Sequence, residues 1–140
     1  MAIHFFAEEI TFSLPNEPKV IAWLDQIATN HNHQVEELNY IFCTDDYLLE
    51  INRTHLDHDY YTDIITFDNS DTANQLEGDI FISIDRVREN AHHHSTTFED
   101  ELSRVMAHGL LHLLGYSDKT DDEQKEMREK ENACLSLLSN

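Results

Sequence analysis

Basic side chains are few in this 140-residue chain: 9 Lys and Arg stand against 28 Asp and Glu, a formal net charge of −19 with the 10 histidines neutral. A broad surface that tracks nucleic-acid phosphates draws its free energy from Lys and Arg neutralising backbone charge, and this composition excludes one. Any contact with a nucleic acid must be local, metal-assisted or shared with a partner. Cysteine is nearly absent. Cys43 and Cys134 lie inside strand-like and helix-like runs; without an export signal they read as reduced thiols of a cytoplasmic protein, not as a disulfide. Two cysteines are also too few for a closed, cysteine-rich structural metal site. With only 3 Gly and 2 Pro, the chain is neither low-complexity nor disordered. No apolar run approaches the roughly 20 residues of a membrane helix. The opening MAIHFFAEEI places acids where a signal peptide has its apolar stretch.

What is present suffices for one core. A hydrophobic content of 40% without repeats or linker-like breaks predicts a single domain over residues 1–140. IHFFAEEITFSL reads as one or two short strands, VEELNYIFCT as a buried strand, and TDIITFD and GDIFISI as two more. EPKVIAWLDQIATNHNH repeats its apolar residues at helical spacing, with Asn16 as N-cap and Pro18 in the first turn. DDYLLEINRTHL, capped by Asp45 or Asp46, predicts a short helix, and DRVRENAHHHS another. TFEDELSRVMAHGLLHLLG opens on Thr96 or Thr97 with acids following and stops at Gly115, while DDEQKEMREKENACLSLL forms a last amphipathic helix. The order lacks regular βαβ alternation. It predicts the α+β class: a small mixed sheet of about four strands covered by about five helices, with a metal site on a central helix.

That site is MAHGLLHLLGYSD, residues 106–118. His108 and His112 are four apart and share one helix face, so two imidazole nitrogens can reach one ion at about 2.0–2.1 Å. Leu110, Leu111, Leu113 and Leu114 make the helix too apolar for a wet surface, and burying neighbouring imidazoles without a partner costs free energy. Gly115 ends the helix and lets the chain fold back, so Asp118 can supply a carboxylate oxygen. Two nitrogens and an oxygen with one position left to water form the pattern of an open catalytic zinc site. The spacing is also that of metzincin proteases, in which a Glu after the first His is the general base; here that position is Gly109, which disfavours peptide hydrolysis.

Other residues carry competing readings. The run His92, His93, His94 cannot share one helix face and reads as a surface cluster. His31 and His33 close the first helix in solvent. Tyr60, Tyr61 and Phe67 could stack on unpaired bases, although loop cover and core are the simpler readings. Asp63, Asp79 and Thr62 are candidates for orienting the histidine ligands, against the simpler role of strand-edge polar residues.

HGLLHLLGY closely resembles the signature of the YbeY family of bacterial rRNA maturation endoribonucleases, H-G-x-L-H-L-x-G-Y-D-H. INRTHLDHDYYTDIITF is similar to the family's asparagine-led helix end and P-T-D-V-L-S-F strand, GDIFIS to its G-D-I-x-I strand, and DELSRVMAHGLLHLLGY to its approach to the metal helix. The resemblance implies a single α+β domain, one zinc ion held by three residues of the motif, and single-strand-specific endoribonuclease activity. It further implies late 16S rRNA 3′-end maturation, ribosome quality control, and contacts with rRNA and with ribosomal proteins or the small subunit. The family motif ends in Asp-His, whereas this chain has Ser117–Asp118, making Asp118 the third ligand. The family's Tyr-Arg pair falls on His55 and Leu56; Arg53, one turn earlier, is the candidate catalytic replacement, against a solvated surface arginine. Two alternatives stay open: an assembly or binding factor with a mainly structural metal, and a zinc hydrolase or protease.

Overall fold

The two longest β-branched and aromatic runs, β2 (Gln34–Cys43) and β4 (Gln75–Ser83), pair in parallel at the centre of a four-stranded sheet. The computed structural model describes residues 2–58 and 61–138, so Tyr60 lies outside the described residues. The sheet order is β1-β2-β4-β3, with β1 (Ala2–Glu8) parallel to β2 and β3 (Ile64–Asp68) antiparallel to β4. Parallel neighbours need a crossover, and helix α1 (Glu17–Asn30) supplies the first. Helices α2 (Asp45–Leu56), α3 (Ile84–His93), α4 (Phe98–Leu113) and α5 (Asp121–Leu138) complete the predicted α+β architecture.

Strand side chains alternate between the two faces. Leu38, Tyr40 and Phe42 of β2 and Leu76, Ile80 and Ile82 of β4 join the apolar faces of α1, α4 and α5 in the main core. On the other face Cys43, Ile65, Phe67 and Phe81 form a smaller cluster with Tyr47, Leu48 and Ile51 of α2. Phe67 is thus partly buried against this cluster. Two long-range hydrogen bonds tie the layers: the Tyr40 hydroxyl donates to Met106 O at 2.9 Å, and Trp23 Nε1 donates to Cys134 O at 2.7 Å.

Helix α4 packs directly against the sheet, and two glycines make room for the contact. A Cβ on Gly109 would sit 2.8 Å from Ile64 Cδ1 and 3.0 Å from Ile80 Cγ2; one on Gly78 would sit 2.7 Å from the carbonyl oxygen of Phe67. Gly78→Ala is expected to destabilise the fold by about 2–3 kcal/mol, because a backbone oxygen cannot yield as a flexible side chain can. Equal denaturation midpoints for variant and parent would refute this.

Several expected boundaries move. Thr97 caps α4 as predicted, accepting from Asp100 N. Helix α2, however, is capped by Thr44, whose hydroxyl accepts from Tyr47 N. Asp45 is drawn away: it accepts from Ser83 Oγ at 2.6 Å and from Arg86 Nη2 at 3.1 Å. Asn16 precedes α1 in the left-handed region, φ 56°, and makes no side-chain cap; Pro18 occupies the first turn as read. α1 stops at Asn30, so His31 and His33 lie beyond it, partly buried, and their Nδ1 atoms donate to Ile27 O and His31 O.

Both cysteines are free and buried. Burial, helped by the charges of Asp45, Asp85 and Glu8, pushes the Cys43 thiol up to about 12, and burial with Glu131 pushes Cys134 up to about 11. The thiolate is the reactive form. Neither thiol is expected to react with iodoacetamide in the native protein near pH 8, whereas both should react after denaturation; rapid native labelling would refute this.

Candidate metal centre

Helix α4 is buried along most of its length, and the stripe that escapes the core carries Arg104, His108 and His112, each four residues from the next. The helix ends in a Schellman motif. Gly115 takes φ 107°, its N–H donates to His112 O, and Tyr116 N–H donates to Leu111 O, both at 3.0 Å. This reversal carries the chain back along the last turn, as the glycine predicted.

The reversal brings the three predicted ligands together. His108 Nε2 and His112 Nε2 lie 2.9 Å apart, and Asp118 Oδ2 lies 3.3 Å from the first and 3.6 Å from the second. A four-coordinate ion at about 2.0–2.1 Å from nitrogen or oxygen ligands spreads them roughly 3.3 Å apart, so the triangle has the right size. His108, His112 and Asp118 keep 20%, 27% and 38% of their side-chain exposure, which leaves the site open on one side.

The outer ring nitrogens define the chemistry further. His108 Nδ1 lies 2.6 Å from Glu131 Oε2, and His112 Nδ1 lies 3.0 Å from the carbonyl oxygen of Tyr116. A carboxylate and a carbonyl only accept, so each Nδ1 carries the proton and each neutral ring turns a bare Nε2 lone pair inward. Two lone pairs and a carboxylate oxygen then face one point. That arrangement calls for a positive centre, either a proton or a metal ion, and the donor set suits a divalent metal.

Electrostatics agree with a cation-seeking site. Burial lowers the His108 pKa, but the Glu131 hydrogen bond and the charges of Glu131, Asp118 and Asp63 outweigh it and raise the ring above 6.5. His112 moves down, through burial and the neighbouring His108, against Asp118 and the Tyr116 carbonyl. Glu131 is desolvated, yet hydrogen bonds from His108 and Arg104 hold it below the usual carboxylate range. Because His108 is raised, the stability that its protonated form lends to the ion-free fold is fully present below 6.5 and lost as pH rises through the folded value. Metal uptake needs the neutral ring and runs the opposite way. Cobalt(II) affinity is expected to weaken between about pH 8 and pH 6; a flat profile over that window would refute this.

The remaining candidates fall elsewhere. Asp63 is within electrostatic reach of His108, and burial raises its carboxyl above the ordinary range. Asp79 sits on the opposite face of β4 from the residues that meet α4, accepting from Asn39 at 3.0 Å and Asn69 at 3.3 Å; it does not orient the histidines. Thr62 is partly buried. Arg53 belongs to α2, which covers the other face of the sheet, and pairs with Glu50 at 3.9 Å. His92, His93 and His94 are exposed and diverge, His93 toward Glu89 and His94 toward Glu101. The Tyr61 hydroxyl donates to Asp46 and its ring lies beneath Arg86. Glu131 and Arg104 went unread in the sequence, because a buried Glu inside a charged helix has no local signature.

Known proteins match this chain over nearly its full length. The family described as Endoribonuclease YbeY matches residues 6–139. A protein of Cytophaga hutchinsonii named Endoribonuclease YbeY is 57% identical over 96% of this chain and 94% of its own. One of the same name from Flavobacterium psychrophilum is 48% identical over 95% and 94%, and one from Parabacteroides distasonis 44% identical over 99% and 96%. A solution structure from Thermotoga maritima, 28% identical, superposes with a TM-score of 0.68 over 98% of this chain and 89% of that one. A family match spanning almost every residue, with relatives above 40% identity end to end, means that the chain belongs to the Endoribonuclease YbeY family.

Proposed function

We propose that this endoribonuclease cuts single-stranded RNA at one zinc ion held by His108, His112 and Asp118, and that its substrate is rRNA, at the 3′ end of 16S rRNA late in maturation. The observation that carries the reading is the convergence of Nε2, Nε2 and Oδ2 on one partly open point. When bound, zinc supplies Lewis acidity toward a water or a phosphoryl oxygen. The chain's own residues do the rest. His108 and His112 present neutral nitrogens, the Tyr116 carbonyl holds the His112 ring, and Asp118 adds one negative charge that tempers the acidity of the centre. Arg53 remains the candidate catalytic residue.

The net charge of −19 makes long-range attraction to RNA unfavourable. Recognition therefore rests on a few local contacts and on partners, for which ribosomal proteins or the small subunit in the cytoplasm are the fitting class. No helix among the described residues is long and apolar enough to cross a membrane. Few neutralised phosphates imply a shallow salt dependence of binding, about one or two counterions instead of the six to ten of a phosphate-tracking protein. A steep loss of affinity between 50 mM and 200 mM salt, roughly 10³-fold or more, would contradict this.

Metal-loaded protein incubated with single-stranded RNA, duplex RNA and casein, beside its His108→Ala form, tests the reading. Cleavage of the single strand alone, lost in the variant, supports it. Casein cleavage would favour a protease. Capture of ribosomal proteins without turnover would favour an assembly factor with a structural metal.

A further inference from the structure

We infer that Glu131, braced by Arg104, is a positioning residue for the metal centre, fixing the His108 ring in the tautomer and orientation that aim Nε2 inward. The inference rests on the metal-centre reading above. Glu131 is 6% exposed and comes from α5, whereas His108 comes from α4. Its two oxygens are divided between two hydrogen-bond partners, with Arg128 Nε a looser ion-pair neighbour 3.9 Å from Oε1. Oε2 accepts from His108 Nδ1 at 2.6 Å, and Oε1 accepts from Arg104 Nη1 at 2.8 Å. Arg104 is itself held, its Nη2 donating to Asn132 Oδ1 at 2.8 Å.

A carboxylate is an expensive group to bury, and an acid retained only to dock α5 on α4 would need the arginine alone. Here the shorter of the two contacts goes to the imidazole. The line Arg104–Glu131–His108 has the form of the carboxylate–histidine–metal arrangement, in which the outer partner selects the ring tautomer and makes the inner nitrogen a better ligand. Arg104 cancels the Glu131 charge, so the site gains orientation without a second net negative charge beside Asp118. His112 needs no such side chain, because the Tyr116 backbone carbonyl serves it. Among the described residues, Glu131 is thus the side chain outside the ligand triad that hydrogen-bonds a ligand ring.

The test compares the full chain with Glu131→Gln, which keeps shape and removes charge, and with Glu131→Ala. Arg104→Lys serves as the conservative variant. Cobalt(II) and zinc affinities are read by chelator competition, the His108 tautomer by ring-nitrogen NMR of the ion-free protein, and folding by circular dichroism. Glu131→Gln is expected to weaken metal binding about 10–100-fold and to release His108 from the Nδ1–H tautomer, with the fold retained. Arg104→Lys should preserve the tautomer and lose less affinity. Unchanged affinity and tautomer in Glu131→Gln would overturn the inference while leaving the metal reading standing. A parent chain that takes up neither metal would overturn the metal reading, and this inference with it.

Discussion

His112→Ala is expected to fold and to lose its metal. The ring is partly exposed at the last turn of α4, and its protein contact outside the triad is one bond to the Tyr116 carbonyl, which lies near enough to the surface for water to replace it. Truncation there costs the fold about 1 kcal/mol or less. The metal loses one of three protein ligands. Zinc binding to structural sites is worth about 10–16 kcal/mol, so one ligand's share is roughly 3–5 kcal/mol, or about 10²–10⁴ in Kd. An already open site cannot recruit a substitute, and RNA cleavage should fall to background. Elemental analysis after gel filtration, with circular dichroism for the fold, decides the matter: full metal content in the variant would sink the ligand assignment. His108→Ala is a less clean probe of the fold, because it also strips the buried Glu131 of its imidazole donor.

Gly109→Glu, the change that would restore the metzincin base, is expected to unfold the protein instead of making it a protease. The position follows His108 in sequence but faces the sheet, where even a methyl group meets Ile64 and Ile80 at 2.8–3.0 Å. A longer side chain must push α4 away from β3 and β4, and its carboxylate would be buried among isoleucines without a partner. Overpacking costs about 1–3 kcal/mol and an unpaired buried acid several more. The sum rivals the whole stability of an ordinary domain, about 5–15 kcal/mol. Loss of soluble, cooperatively melting protein is the expected result. A variant that melts within a few degrees of the parent would show that this face is not packed as described. The same geometry denies the metal face a base from position 109, since a side chain there is directed at Ile64 and Ile80.

Much of the site was readable because its grammar is local. An i, i+4 histidine pair shares a helix face by geometry alone, and Gly115 with its positive φ reverses the chain within three residues of Asp118. Elements went astray wherever a distant partner competed. Asp45 looks like an N-cap until Ser83 and Arg86, 38 and 41 residues away, claim its oxygens and leave Thr44 to cap α2. Strand β4 begins at Gln75, three residues before the run that announces it, because Gln34 of β2 is there to pair with. Asp79 looked available for the histidines, yet strand alternation turned it to the other face.

The amino-acid sequence by itself determined the α+β class, the helix that carries His108 and His112, the return of Asp118, and the kinship with the YbeY endoribonucleases. Each depends on spacing within a few turns or on motifs whose order survives without coordinates. Only the tertiary structure decided that Gly109 faces the sheet, that Arg53 lies on the far face, and that Glu131 reaches His108 from 23 positions further along the chain. Those outcomes follow from how α2 and α4 dock on opposite faces of a mixed sheet and α5 docks on α4. Docking is set by the burial of whole faces, which no single stretch of residues encodes.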